Sequence, residues 1–249
     1  MKIVYHPDFA QEYAQDPAAS PGRLDAVLAE LRGSYQFVQP DPTSEEQLAR
    51  AHSARHIDSI RSDRLLFHVA CLAAGGAIAA ARLAFDGEPG FGLVRPPGHH
   101  ASRDHAWGFC FFNNIAVALM ELEARGDIRC AFILDFDLHF GDGSASLFAG
   151  SPTRYYQPRA GEAGAFLKET EERLESEKGY DILAVSAGFD RHREDWGGAL
   201  STEDYRAIGE MVKRASTAVC NGRRFAVLEG GYNHRLLGKN VAAFLEGLE

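Results

Sequence analysis

The chain has 249 residues, 45% of them hydrophobic, with a formal charge of −9, so one large core filling residues 1–249 as a single domain is expected. The acidic balance excludes a general nucleic-acid binder, which needs clustered Lys and Arg to neutralise phosphates. No window approaches about 20 consecutive apolar residues, which argues against membrane insertion, and the four cysteines form no CxxC pair or disulfide framework, which points to a reducing, cytoplasmic setting.

Taken in chain order, short apolar runs alternate with amphipathic ones. "KIVYH" reads as a strand and "QPDPTSEE" as a loop, and "SDRLLFHVACLAAGGAIAAARLAF" as a long helix. "FGLVR" is the next strand and "NNIAVALMELEARG" a helix closed by Gly126. "CAFILDFD" is a strand, "GSPTRYYQPRAGEAG" a loop, and "EAGAFLKETEERLESEKG" a helix. "DILAVSA", "TEDYRAIGEMVKRAST" with Ser201 as cap, "RFAVLEG" and "HRLLGKNVAAFLEGL" complete a strand, helix, strand, helix sequence. This alternation predicts a three-layer α/β/α fold, a mainly parallel central sheet flanked by helices.

Ligands of such sheets bind beyond the carboxyl ends of the strands. There the chain is polar. Read with period 2, "DFDLHF" sends Asp135, Asp137 and His139 to one side and Phe136, Leu138 and Phe140 to the other. Carboxylates this close repel unless a cation or proton compensates. Asp190 follows "DILAVS", and together Asp137, His139 and Asp190 form a candidate three-ligand set for a divalent metal with an open position. His192 is a rival ligand, read rather as a solvent-facing loop residue. Such an oxygen-rich set suits zinc, and also Fe(II), Co(II) or Mn(II). Two carboxylates would offset the ion's charge, so a separate base is needed. Tyr232 follows the Gly230-Gly231 pair at another strand end, placed to donate a hydrogen bond to a reacting oxygen.

"RPPGHHA", "GFCFFNNIAVA", "DFDLHFGDG", "SAGFD" and "LEGGYN", in that order, resemble the zinc-dependent histone deacetylase and acetylpolyamine amidohydrolase superfamily, in its class II-like bacterial form. The resemblance implies an arginase-like fold and hydrolysis of an acylated amine, whether acyl-lysine, acylpolyamine or small molecule. It puts the metal on Asp137, His139 and Asp190. It implies that His100 is the general base and later the acid, with His99 its electrostatic partner. Asp135 would orient His99, Asp142 would orient His100, and Tyr232 would stabilise the oxyanion. Gly108, Phe109 and Gly231 would contact substrate.

The chain also departs from the family pattern. The segment after the DxDxH block is compressed, and "YYQPR" stands where a Ser-containing strand is expected. The potassium site that the resemblance implies beside Asp135 has therefore lost a ligand, and the second aromatic facing Phe109 is gone, leaving a wider or differently walled mouth. The stretch before the first long helix is short as well: Asp63 is read as a helix cap, and the dimerising insertion of acetylpolyamine amidohydrolases is missing, which favours a monomer or another oligomer. His105 and Trp107 are read as rim residues. Two rival readings are an acyl-ligand-binding module with little turnover and a two-metal hydrolase of arginase type.

Overall fold

Apolar runs too short and too evenly greasy to leave a polar face become strands covered on both sides. The computed structural model covers residues 1–249 and builds a single seven-stranded sheet in the order β2-β1-β3-β7-β6-β4-β5. The strands are β1 (Lys2–Val4), β2 (Gln36–Val38), β3 (Gly90–Gly92), β4 (Ala131–Asp135), β5 (Arg154–Tyr156), β6 (Ile182–Ala187) and β7 (Arg224–Leu228). Every pairing is parallel. β3, β4, β6 and β7 are wholly buried.

Nine α-helices cover the sheet: α1 (Asp25–Leu31), α2 (Glu45–Ala51), α3 (Ala54–Arg61), α4 (Arg64–Phe85), α5 (Asn114–Ala124), α6 (Asp142–Leu147), α7 (Ala163–Ser176), α8 (Thr202–Cys220) and α9 (His234–Leu248). α4 packs on β1, β3 and β7 with α5, α3 and, through α5, α2 beside it, while α1, α7, α8 and α9 associate as a second group. The result is the three-layer α/β/α arrangement. α4 is long and apolar enough by length and composition to cross a bilayer, yet its middle is buried. Asp63 caps it, accepting from the Leu65 and Leu66 amides, and Ser201 forms a capping box with Asp204 at α8.

Two strands are not marked by the alternation of apolar runs. β5 falls inside the segment read as a loop, where only the family resemblance, at "YYQPR", places a strand, and β2 in an unassigned stretch. Both have three residues at sheet edges and only partial burial, so neither carries the apolar run that marks the central strands. A second correction concerns the DxDxH block. Regular strand ends at Asp135, so strict alternation stops there: Phe136 is fully buried, but Phe140 is 50% exposed.

Phe136 ties the polar turn to the core. Its ring meets Phe189, Tyr205 and Phe244 at centroid distances of 5.6, 5.9 and 5.2 Å. Truncating it leaves a void flanked by three rings directly beneath Asp135 and Asp137. Phe136→Ala is expected to lower the unfolding free energy by about 3–5 kcal/mol, read from urea denaturation; a loss under about 1 kcal/mol would show that the turn does not depend on this anchor.

Candidate active site

The chain leaves the carboxyl ends of β3, β7, β6 and β4, four adjacent strands, on one edge of the sheet. The residues that follow them converge. β4 delivers Asp135, Asp137 and His139; β6 delivers Asp190; β7 delivers Glu229 and Tyr232; the loop after β3 carries His99 and His100.

The aspartates are buried and held by backbone donors. Asp137 accepts from the His139 amide at 2.9 Å and the Gly230 amide at 2.8 Å. Asp190 Oδ1 accepts from the Leu138 amide at 3.0 Å, and Asp135 Oδ1 from the Asp137 amide at 3.0 Å. Gly230 is required by this proximity: a Cβ there would lie 2.6 Å from Asp137 Oδ2 and 2.9 Å from the Asp190 carboxyl.

Ligand atoms of Asp137, His139 and Asp190 lie within 4.8 Å of one another. His139 Nδ1 stands 3.3 Å from Asp137 Oδ1 and 3.0 Å from Asp190 Oδ2. The latter approach lacks hydrogen-bond geometry, so Asp190 Oδ2 is a buried carboxylate oxygen with no donor. The two carboxylates push the His139 imidazole up to about 10. Burial and the neighbouring Asp137 hold the Asp190 carboxyl above the usual carboxylate range. A cluster that holds a proton this strongly, with an oxygen left unpartnered, fits a divalent cation.

Beside it, the tandem histidines each have an aspartate. His99 Nδ1 is 3.0 Å from Asp135 Oδ2, and His100 Nδ1 is 2.7 Å from Asp142 Oδ1. Their rings meet at 4.1 Å, so adjacent residues in an irregular loop line one pocket. The two are tuned oppositely. His99 is fully buried, which disfavours its charge, but Asp137 and Asp135 outweigh burial and raise it well above 6.5. For His100, burial and the His99 charge prevail over Asp142 and lower it.

Trp107, read as a rim residue, is 48% exposed but does more. Its ring covers His100 at 4.0 Å and its Nε1 donates to Asp142 at 2.9 Å. The His105 carbonyl accepts from the Ser102 amide and hydroxyl, and its imidazole makes no hydrogen bond to the dyads. His192 is buried, not solvent-facing; it stacks on Tyr205 and accepts from the Glu194 amide through Nδ1, and it stands outside the Asp137–His139–Asp190 cluster.

The pocket in front of this cluster is a cavity of about 120 Å³, lined by His99, His100, His139, Gly108, Phe109, Trp196 and Tyr232 among others. Gly108 and Phe109 both have positive φ, 59° and 64°, and a Cβ on Gly108 would sit 2.4 Å from the His100 ring. Gly231 does not line the pocket; its carbonyl accepts from Arg23 Nε at 2.9 Å. The missing second aromatic has a substitute that sequence reading overlooked. Trp196, from the loop after β6, stacks on Tyr232 at 4.0 Å and faces Phe109 at 6.4 Å. The mouth is differently walled, not open.

Three further residues were not singled out beforehand. Glu229 accepts from the Gly98 and His99 amides and the Ser186 hydroxyl; burial pushes its carboxyl up to about 7. Fully buried Arg23 donates to the carbonyls of Glu229 and Gly231. Asp195 accepts from the Tyr232 and Asn233 amides, both at 2.8 Å. Glu229 and Asp195 lie in or near the motifs, but Arg23 does not, and no spacing rule links it to residues 206 and 208 positions later.

The histone deacetylase domain family model matches residues 17–157 and 164–248. The chain belongs to this family. A probable deacetylase of Methanothermobacter thermautotrophicus is 29% identical over 305 aligned positions, covering 100% of this chain and 91% of that protein. The human polyamine deacetylase HDAC10 is 27% identical across 99% of this chain, which spans only 47% of the human protein. Among solved structures, the HDA15 HD domain superposes with a TM-score of 0.86 at 25% identity, covering 100% of this chain and 90% of that one. The fold is thus that of the histone deacetylases. The 305 positions aligned against 249 residues mean that the archaeal relative carries segments this chain lacks.

Trp196 and Phe109 wall the pocket from opposite sides. Trp196→Ala is expected to lower kcat/KM for an acetylated alkylamine by about tenfold, the scale of discrimination a hydrophobic wall provides, chiefly through KM. An unchanged KM would show that Trp196 does not touch the alkyl stem.

Proposed function

We propose that the chain hydrolyses the amide of an acylated amine, removing an acetyl or other short acyl group, with one divalent ion held by Asp137, His139 and Asp190. The observation that carries this reading is the donorless, buried Asp190 Oδ2 beside Nδ1 of His139, a residue that lines one pocket with both histidines of the two dyads. Zinc suits the set, and Fe(II), Co(II) or Mn(II) would also be accepted. When bound, such an ion supplies Lewis-acid polarisation of the amide carbonyl and lowers the pKa of water.

The remaining work belongs to side chains. With its Nδ1 proton held by Asp142, His100 offers Nε2 as a base to a water in the pocket and returns the proton to the departing amine. The carboxylate fixes the tautomer and strengthens the base. His99, kept charged or strongly hydrogen-bonded by Asp135, places positive potential next to the developing negative charge. Burial, with the negative potential of Asp137, raises the Tyr232 phenol well above its ordinary value, so the hydroxyl stays protonated and donates to the oxyanion. Phe109 and Trp196 flank the methylene stem of an amine substrate, as aromatic faces suit an alkyl chain. Support for an amine substrate also comes from the relatives, one of them a polyamine deacetylase.

Metal analysis, paired with turnover of acyl-lysine and acylpolyamine substrates, tests the reading. One equivalent of divalent ion per chain and acyl release are expected; inactivity of the Zn, Fe(II), Co(II) and Mn(II) forms alike across several acyl chains would sink it. Tyr232→Phe is expected to lose about 10²–10³-fold in kcat, as for removal of an oxyanion donor, while retaining metal.

The pH profile follows from His100. The base works only when neutral, so kcat/KM falls as pH drops through its pKa, which lies below 6.5. Asp142 is among the influences that raise that pKa. Asp142→Asn therefore moves the acid limb to lower pH and reduces kcat, by about 10–100-fold. A limb that stays in place would mean His100 is not the base.

A further inference from the structure

Beneath the candidate metal site, the backbone turn that carries Asp137 and His139 points its carbonyl oxygens away from the pocket, where the family resemblance leads one to expect a monovalent cation. The residues there do not fit one. The Gln157 carboxamide donates through Nε2 to the carbonyls of Asp137 at 2.7 Å and His139 at 2.9 Å. Arg191 Nε donates to the same Asp137 carbonyl at 3.0 Å, and its Nη2 reaches the Leu138 carbonyl at 3.4 Å. Both lone pairs of the Asp137 carbonyl are therefore engaged by N–H groups. The adjoining Asp135 Oδ2 already accepts from Tyr155 at 2.8 Å and faces His99 Nδ1. A potassium ion needs these same lone pairs, and it would meet hydrogens instead.

We infer that Gln157 and Arg191 are a built-in replacement for a monovalent cation, positioning residues that hold the Asp137–His139 turn without a bound ion. Each supplies what the ion would otherwise provide. Gln157 contributes two N–H donors aimed at the Asp137 and His139 carbonyls, and its Oε1 accepts from the Gly141 amide at 3.2 Å, so the carboxamide is satisfied at both ends. Arg191 contributes a permanent positive charge, since guanidinium does not deprotonate in proteins. Both are largely buried, 7% and 8% exposed, and the Arg191 guanidinium lies over the Phe166 ring at 4.7 Å, which fixes its place. Gln157 comes from the compressed segment just beyond β5, and Arg191 immediately follows Asp190. The chain thus closes the space with its own side chains where the segment is shortest.

The test exchanges choline for potassium or sodium at constant ionic strength with the metal-loaded protein. The wild-type thermal midpoint and kcat/KM are expected to be the same in all three; a potassium-specific rise in either would overturn the inference. Gln157→Ser removes the carboxamide and leaves an oxygen ligand. In choline its midpoint and kcat/KM are expected to fall several-fold below wild type in rate and measurably in temperature, and potassium is expected to recover both better than sodium. A loss that no cation recovers would mark Gln157 as ordinary packing and equally refute the inference. Should Gln157→Ser not fold, Arg191→Gln, which keeps a donor and removes only the charge, goes through the same exchange with the same expectation. The midpoint needs no substrate, so the outcome stands whatever reaction the site performs.

Discussion

Four carboxylates, those of Asp135, Asp137, Asp190 and Glu229, sit together at 0–1% exposure. Burial of ionised carboxylates is strongly unfavourable unless each is paired and hydrogen-bonded. The surroundings of the site are arranged around that constraint. Backbone amides of Asp137, Leu138, His139, Gly230, Gly98 and His99 all point at carboxylate oxygens. His99, His139 and Arg191 bring positive or proton-bearing groups to the same region. What is left after this compensation is local: Asp190 Oδ2, which has no hydrogen-bond donor and stands 3.0 Å from Nδ1 of His139, a residue of the pocket wall. The incompletely satisfied carboxylate thus marks where a cation fits best.

The same contacts lock the loops. Glu229 ties the end of β7 to the amides of Gly98 and His99, so the histidine loop and the Tyr232 loop share one carboxylate. Arg23 grips both carbonyls flanking Gly230, from a part of the chain far away in sequence. Asp195 holds the Tyr232 backbone while its neighbour Trp196 stacks on the Tyr232 ring. A rotation of any of these loops would break bonds in the others, which is how short, irregular segments attain the positional accuracy a reacting site needs.

Much of this was legible beforehand because local rules carried it. The central strands announce themselves as unbroken apolar runs, and their polar termini follow from the rule that ligands gather at strand ends. Asp137, His139 and Asp190 needed only that rule and the repulsion between close carboxylates. The edge strands β2 and β5 escape a periodicity reading because a three-residue strand with one wet side has no period to detect; for β5 only the family resemblance, at "YYQPR", points to a strand. Phe140 was misplaced because period 2 holds only while the backbone is extended, and the chain turns just after Asp135. Arg23, Glu229 and Trp196 were invisible for another reason. Their roles are set by tertiary contacts across large separations, and neither composition nor spacing encodes a partner 206 residues away.

His192 shows the same limit from the opposite direction. A histidine two residues after a metal-ligand candidate reads as a rival ligand or as a wet loop residue, and it is neither, because the loop folds back under α8 and stacks the ring on Tyr205. The segment after the DxDxH block is compressed relative to the family pattern, and this chain uses residues of the loops it retains: Trp196 walls the pocket opposite Phe109, and Gln157 and Arg191 fill the space under the metal turn. Shortening a loop at fixed active-site geometry removes side chains that packed against it, and the buried polar groups left behind must find donors nearby. The residues that supply them are therefore the ones whose identity is tied to the deletion, not to the reaction, and they lie one layer behind the pocket wall.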